Sequence, residues 1–189
     1  METDATFRPR LLEPPGGFFI WMLVVLELVT FGVALIALVV SARNDPETYH
    51  QSRLLLDPRY GIANTFFLLT SGYFMAESVC HFHQADRPRA RRCLWLAIAG
   101  GLAFLGLKGV EYADKIAHGQ TLGSDPFFTW YWLLTVFHLM HVLVGLVILG
   151  CLLRRLSTIK GDDFEAGGVF WHMCDLIWLL LFPILYLIF

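Results

Sequence analysis

The chain has 189 residues, of which 57% are hydrophobic and 16% are charged, and its mean hydropathy is +0.60. These values are typical of a protein with several membrane-spanning segments and unusual for a soluble domain. The formal net charge of −2 provides no excess of basic residues with which to bind nucleic acid. The four cysteines form no CxxC or CxxCH pair, which argues against a zinc ribbon, a thioredoxin-like site and covalent c-type haem.

Five apolar runs are each close to the length of about 20 residues that an α-helix needs to cross a bilayer. The sequence therefore predicts an all-α integral membrane bundle of five transmembrane helices. It divides into an N-terminal tail over residues 1–15 and one helical domain over residues 16–189. The predicted helices cover residues 17–41, 61–82, 93–113, 127–153 and 166–189.

The lysines and arginines predict the orientation of the helices, because cytoplasmic loops carry an excess of positive charge. The second connection contains a basic cluster at Arg87–Arg92, and the fourth contains another at Arg154–Lys160. Together with Arg8 and Arg10, these segments hold nine of the fourteen basic residues. This pattern predicts a cytoplasmic N-terminus and a periplasmic C-terminus.

Six ionisable residues interrupt the apolar runs in the predicted inner half of the membrane. An ionisable group at such a depth costs about 2.5–3.5 kcal/mol on insertion scales, so it persists where it is paired or shielded. Residues three apart share a helix face, and two pairs of the six have this spacing. In a folded bundle all six can form one hydrogen-bonded cluster. They are Glu27, Glu77, His138, His141, His172 and Asp175.

Three interpretations of this predicted cluster differ in their chemistry. A metal site would use the His and carboxylate spacing of di-iron bundles, but those bundles need paired Glu-x-x-His motifs, and no such pair occurs here. A proton pathway would let Glu27 exchange protons with the histidines. The favoured interpretation is structural: the polar groups satisfy one another and fix the register of the helices. In this interpretation Asp175 accepts hydrogen bonds from histidine, and the group locks the fourth and fifth predicted helices together. Lys108 and Glu111 are predicted to be a neutralising pair near the outer end of the third helix.

Five short motifs, in order and at matching spacing, resemble those of subunit III of the haem-copper oxidase superfamily. The motifs are WMLVVLELVTFG with Glu27, ANTFFLLTSG, GVEY with Glu111, FHLMHVLVGL with His138 and His141, and FEAGGVFWHMCDLIW with Glu165, Trp171, His172, Asp175 and Trp178. Five helices match the short form of the family, as in bacterial ubiquinol oxidases. Within that form, KGVEYADKI and FWHMCDLIWLLLFPILYL most resemble the NorE-type accessory protein of bacterial nitric oxide reductase. Lys108 and Cys174 are not part of the general family pattern.

The resemblance implies a multi-pass subunit of the bacterial inner membrane with no catalytic residue and no haem, copper or other cofactor. Such a subunit packs beside the catalytic haem-bearing large membrane subunit, holds phospholipid in its cleft and supports assembly, stability or turnover. The expected function is accessory support of a nitric oxide reductase. One alternative is subunit III of a cytochrome c or ubiquinol terminal oxidase. An alternative of another class is a stand-alone transporter or proton-conducting protein, although the sequence shows no convincing inverted repeat.

Overall fold

The computed structural model describes residues 15–188, and the regular structure in this range is helical throughout, as the sequence predicts. A π-helical turn, Ile184–Ile188, continues the last α-helix. The six α-helices of this range are α1 (Phe18–Asn44), α2 (Pro46–Leu54), α3 (Pro58–His83), α4 (Arg87–Ala117), α5 (Pro126–Arg155) and α6 (Gly161–Pro183). Five of them correspond to the predicted helices, and the nine-residue α2 was not predicted. The predicted tail over 1–15 lies almost wholly outside the described residues.

Within residues 15–188, four segments are long and apolar enough to cross a membrane, which makes the chain a multi-pass membrane protein. They are α1, α4, α5 and the segment Gly161–Ile188. The remaining long helix, α3, has 26 residues, but no continuous stretch of it is as apolar as those of the four segments. Its inward face explains this difference, because it consists largely of small and polar side chains. The buried residues of α3 are Gly61, Asn64, Leu68, Ser71, Gly72, Met75, Ser78 and Phe82.

Four of the helices begin with the same local arrangement, in which an aspartate caps the helix and a proline occupies its first turn. An aspartate oxygen accepts a hydrogen bond from a backbone N–H that has no partner within the helix, and a proline there sacrifices no hydrogen bond. The strongest example is Asp125, whose Oδ1 lies 2.7 Å from the backbone nitrogen of Phe128. The capping residues are Asp45, Asp57, Asp86 and Asp125.

The long helices pack around α6, which contacts α1, α3 and α5, while α4 packs along α3 and also touches α5. Close packing depends on glycine where helices meet. A Cβ atom on Gly100 would lie 2.8 Å from the Cβ of Ser71 in α3, so only glycine allows this approach. Gly101 and Gly145 leave room for the ring of Trp171 in the same way, since a Cβ at either position would lie within 2.9 Å of the indole.

The π-helical turn follows Pro183 directly. Proline has no N–H to donate to the preceding turn, so the regular α-helical bonding pattern ends there. Arg53, from α2, donates a hydrogen bond from Nε to the carbonyl oxygen of Tyr186 at 3.2 Å. A second polar contact from α2 joins Ser52 to Asp125 at 2.9 Å. The short helix therefore holds both the π-helical turn and the first turn of α5.

Candidate functional site

A completely buried ion pair lies on α4. Lys108 and Glu111 each have a relative exposure of 0%, and Nζ of the lysine is 2.9 Å from Oε2 of the glutamate. Their spacing of three residues places them on one helix face, so the predicted neutralising pair is confirmed. The structure adds two tyrosines to this pair. We call Lys108, Glu111, Tyr131 and Tyr186 the lysine–tyrosine cluster.

Each polar hydrogen of the lysine–tyrosine cluster has an acceptor. Both tyrosine hydroxyls donate to Oε1 of Glu111, at 2.8 Å from Tyr131 and 2.5 Å from Tyr186. Nζ of Lys108 donates to Oε2 of the same carboxylate and to the two tyrosine oxygens, at 3.2 Å and 2.8 Å. An ammonium group has three donors, so all of them are used. The cluster thereby bonds α4 to α5 and to the π-helical turn.

Aromatic rings surround the ammonium group of Lys108. Its Nζ lies between 4.9 and 5.4 Å from four ring centroids, a range in which the negative face of a ring attracts a cation. The rings belong to Tyr112, Tyr131, Trp178 and Tyr186. A buried charge is tolerated where an opposite charge, hydrogen bonds and such contacts replace water. The arrangement is a closed, fully paired polar core.

The six residues of the predicted cluster do not form one hydrogen-bonded network in the described part of the chain. Glu27 and His141 meet between α1 and α5, whereas His172 and Asp175 pair within α6. Glu77 lies 3.7 Å from His81 on its own helix, α3, and its side chain is 40% exposed. Residues at a similar depth in the membrane can face different neighbours, because depth does not determine how each helix is rotated about its axis. This rotation separates the six residues.

Glu27 of α1 and His141 of α5 bring polar atoms of these two helices together. Oε2 of Glu27 lies 3.2 Å from Nε2 of His141, although the two groups are not aligned as a hydrogen bond. Nδ1 of His141 is 2.8 Å from the carbonyl oxygen of Phe137, so this nitrogen carries a hydrogen. The other ring nitrogen, Nε2, is therefore the one that faces the carboxylate of Glu27.

Asp175 packs against α3, whereas the sequence predicted that it would join α6 to α5. Its Oδ2 lies 3.2 Å from Nδ1 of His172, which agrees with the predicted hydrogen bond from histidine. The same oxygen lies against Gly72 of α3, in the space that a Cβ atom would occupy if this residue were not glycine. The predicted lock between α5 and α6 is therefore wrong: this pair fixes the approach of α6 to α3. Oδ1 of Asp175 has no partner among the described residues.

His138 is a fully buried residue whose two ring nitrogens have no hydrogen-bond partner in residues 15–188. Its ring stacks on Trp178 at 5.5 Å and meets Phe104 edge-on at 5.8 Å. Phe31 of α1 approaches it at 6.4 Å. His138 is thus part of an aromatic core that α1, α4, α5 and α6 build together, and not part of the Glu27–His141 contact.

The other motif residues also join neighbouring helices. Nε1 of Trp171 donates to Oγ of Ser71 at 3.1 Å, and Nε1 of Trp178 donates to Oγ1 of Thr65 at 2.9 Å. Both bonds run from α6 to α3. Glu165, at the start of α6, lies 2.7 Å from Nε2 of His83 at the end of α3. No three His, Cys, Asp or Glu side chains within residues 15–188 come together as a metal site.

Comparison with known proteins identifies relatives of this chain. Residues 55–188 match the family model for cytochrome c oxidase subunit III. Cytochrome c oxidase subunit 3 of Polypterus ornatipinnis is 32% identical over 137 residues, which cover 69% of this chain and 51% of that protein. The subunit 3 of Corynebacterium diphtheriae is 30% identical over 138 residues, 70% of this chain and 67% of that protein. A probable subunit 3 of Mycobacterium leprae is 30% identical over 129 residues, 66% of this chain and 64% of that protein.

The chain therefore matches between half and two thirds of the length of these relatives. The matched range covers α3 to α6 and includes the lysine–tyrosine cluster and the pair formed by His172 and Asp175. Glu27, on α1, lies before the range of the family model, so the model does not test its assignment to the motif.

Proposed function

We propose that this chain, which belongs to the cytochrome c oxidase subunit III family, is a non-catalytic subunit of a haem-copper-superfamily respiratory complex. In this role it packs against the catalytic, haem-bearing large membrane subunit and supports its assembly, stability or turnover. The chemistry of the complex takes place in that partner, and this chain supplies a shaped helical surface.

The contacts that the motif residues make within the chain support an accessory role. Glu165, Trp171 and Trp178 each bond α6 to α3. Glu111 is wholly enclosed by the lysine–tyrosine cluster. A catalytic acid or base must come within hydrogen-bond reach of a substrate proton, and a group enclosed by its own structural partners does not. These residues are placed to determine how the helices pack.

The finer assignment is to a NorE-type accessory subunit of a bacterial nitric oxide reductase. Two segments support it, KGVEYADKI and FWHMCDLIWLLLFPILYL, because the chain most resembles that type there. The first contains Lys108 and Glu111, and the second contains Tyr186, so both segments contribute to one buried cluster. Loss of such a subunit is expected to lower the amount or turnover of assembled reductase.

A second candidate is subunit III of a cytochrome c or ubiquinol terminal oxidase. The names of the relatives favour it, since the three proteins compared above are all described as cytochrome c oxidase subunit 3. The two candidates share a fold and differ in the catalytic subunit against which the chain packs.

The proposal includes a membrane arrangement and a lipid. With α3 as a fifth span, the N-terminus is cytoplasmic and the C-terminus is periplasmic in the bacterial inner membrane. The length of α3, 26 residues, supports this, because about 20 residues are enough to cross the hydrocarbon core. Phospholipid bound to the helical surface completes the proposed subunit, which holds no haem or metal of its own.

Affinity purification from native membranes tests the proposal directly. The tagged chain is extracted in mild detergent, and the large subunit that co-purifies is identified by mass spectrometry and by its haem spectrum. A nitric oxide reductase catalytic subunit supports the first candidate, and a terminal oxidase catalytic subunit supports the second. An unrelated tagged multi-pass protein of the same membrane is the control. Recovery of the chain without a haem-bearing partner contradicts the proposal and favours a stand-alone transporter.

A further inference from the structure

A basic cavity lies where the first turn of α4 meets the last turn of α5. Its volume is about 400 Å³. Arg87 and Pro88 begin α4, and the remaining wall comes from both helices. Four arginines line it, and no carboxylate is among its lining residues. The lining residues are Arg87, Pro88, Arg91, Arg92, Leu153, Arg154, Leu156 and Ser157. We call this space the arginine cavity.

No carboxylate among residues 15–188 balances the positive charge of the arginine cavity. Arg91, Arg92 and Arg154 have no carboxylate within ion-pair distance among residues 15–188. The nearby carboxylate of Asp86 is 3.3 Å from Arg89, which lies outside the cavity. Like charges that share a small space repel one another, and a bound anion removes that repulsion.

One guanidinium group of the cavity is held in place before any ligand arrives. The Cζ atom of Arg87 lies 3.7 Å from the centroid of the Phe82 ring, which holds the planar group by stacking. Its Nη1 is buried and has no hydrogen-bond acceptor in the described part of the chain. A buried donor without an acceptor is costly, so within the described residues this guanidinium group lacks the full set of partners that would compensate its charge beside the cavity. Phe82 is itself stacked on Phe164, with centroids 4.3 Å apart, which fixes the ring.

We propose that the arginine cavity binds the phosphate group of an anionic phospholipid. A guanidinium group binds two phosphate oxygens at once through parallel N–H bonds. The positive end of the α4 dipole and the negative end of the α5 dipole meet here and offset each other, so the attraction for phosphate comes from the four arginines. The buried side chains of Leu153 and Leu156 form an apolar part of the wall. The cavity lies at the ends of two helices that are long enough to cross the membrane. The ends of such helices lie at the level of the lipid headgroups. This inference rests on the proposed function in one respect, namely that the chain lies in a bilayer, and it adds the headgroup class and the place of binding.

Lipid titration of the purified full chain tests the inference. The chain is delipidated in a mild non-ionic detergent, and binding of phosphatidylglycerol, cardiolipin and phosphatidylcholine is followed by native mass spectrometry. We expect the two anionic lipids to bind at least tenfold more tightly than phosphatidylcholine. Removing an arginine at an anionic headgroup is expected to weaken binding about fivefold. The variant Arg91→Gln/Arg154→Gln is therefore expected to lose most of the preference for anionic lipid.

The matched control is Arg89→Gln/Arg155→Gln, which removes the same charge from the same ends of α4 and α5 but leaves the cavity lining intact. We expect this control to keep the preference for anionic lipid. Equal losses in the two variants, or equal binding of all lipids by the unchanged protein, would overturn the inference. All four substituted residues are exposed, and circular dichroism verifies folding. If the double variant does not fold, Arg91→Gln alone is compared with Arg89→Gln.

Competition with inorganic phosphate distinguishes a phospholipid headgroup from a free phosphate ion, because both present phosphate oxygens to the arginines. If excess phosphate abolishes binding of phosphatidylglycerol, and binds the lipid-free chain equally tightly, the cavity is a site for a free ion and the lipid proposal is wrong. Continued lipid binding in excess phosphate supports the headgroup. These measurements use the isolated chain, so their failure is independent of whether a haem-bearing partner co-purifies.

Discussion

The hydroxyl of Tyr186 donates a hydrogen bond to the carboxylate of Glu111, and the two residues are 75 positions apart in the chain. The bond joins the π-helical turn at the end of the chain to the middle of the fold. Because Oε1 of Glu111 also accepts from Tyr131, this one carboxylate holds α4, α5 and the π-helical turn together. The lysine–tyrosine cluster is accordingly the place where substitutions are expected to have the largest effect on stability.

Substitutions of the two charged members of the cluster are expected to be unequal. Glu111→Leu leaves the ammonium of Lys108 buried without an opposite charge, and breaking a buried pair in this way costs about 3–5 kcal/mol. Lys108→Met leaves Glu111 with two tyrosine donors, so a smaller loss is expected. Thermal unfolding of the purified chain in detergent measures both. The double variant Lys108→Met/Glu111→Leu is expected to recover part of the loss. If Glu111→Leu and the unchanged protein unfold at the same temperature, the cluster does not stabilise the fold.

Gly72 and Gly109 are expected to respond oppositely to the same substitution. A Cβ on Gly72 would overlap Oδ2 of Asp175, whereas a Cβ on Gly109 would have no heavy atom of another element within 4 Å. Gly72→Ala is therefore expected to destabilise the α3–α6 contact by an amount typical of overpacking, about 1–3 kcal/mol. Gly109→Ala is the matched control, and alanine in a helix is expected to stabilise by up to about 1 kcal/mol. Thermal unfolding distinguishes the two. Similar unfolding temperatures in both variants would show that Asp175 does not occupy the space beside Gly72.

The number of membrane crossings is expected to be five. A reporter inserted at Ala85, in the turn between α3 and α4, and a reporter on the N-terminus are then on the same cytoplasmic side. A third reporter, fused after Phe189, is expected on the periplasmic side. If α3 does not cross, the reporters at the N-terminus and at Ala85 are on opposite sides. Because α4 is among the four spans, a reporter at Gly119 is the control and is expected opposite to Ala85.

The purified chain is expected to contain no haem and no stoichiometric transition metal. The family that it belongs to implies this, and the prediction is checked by a visible absorption spectrum together with metal analysis. A Soret band that remains after separation from every partner protein would contradict the accessory role. The tagged complex, measured in parallel with its catalytic subunit, is the positive control for haem.

Local spacing predicted the polar contacts that lie within one helix. Lys108 pairs with Glu111 and His172 pairs with Asp175, because residues three apart share a face whatever the rest of the chain does. Tyr186 was not predicted as a partner of Glu111, since their contact depends on how α6 turns after Pro183. A signal was present, because a tyrosine hydroxyl in an apolar run needs a hydrogen-bond partner when it is buried.

Spacing did not predict which helices the polar residues join. His138 and His141 are on the same broad face of α5, yet the first enters the aromatic core and the second meets Glu27. A difference of three positions turns the side chain by about 60° around the axis, which is enough to separate the two environments. The helix α2 was missed for another reason. Most of its nine residues are polar, and a short polar helix lacks the apolar period by which helices are recognised.

The polar inward face of α3 has a consequence for how the chain enters its membrane. Ser71 and Ser78 donate to the backbone carbonyl oxygens of Ala97 and Ala90, so their hydroxyl hydrogens are satisfied by the following helix, α4. Before α4 has been synthesised, these hydroxyls have no such acceptors, and unsatisfied polar groups in lipid are costly. The smallest segment that satisfies both serines is the hairpin of α3 and α4, whose turn spans residues 84–86. Co-translational insertion of α3 is therefore expected to wait for α4, and the two helices are expected to leave the insertion machinery as a pair.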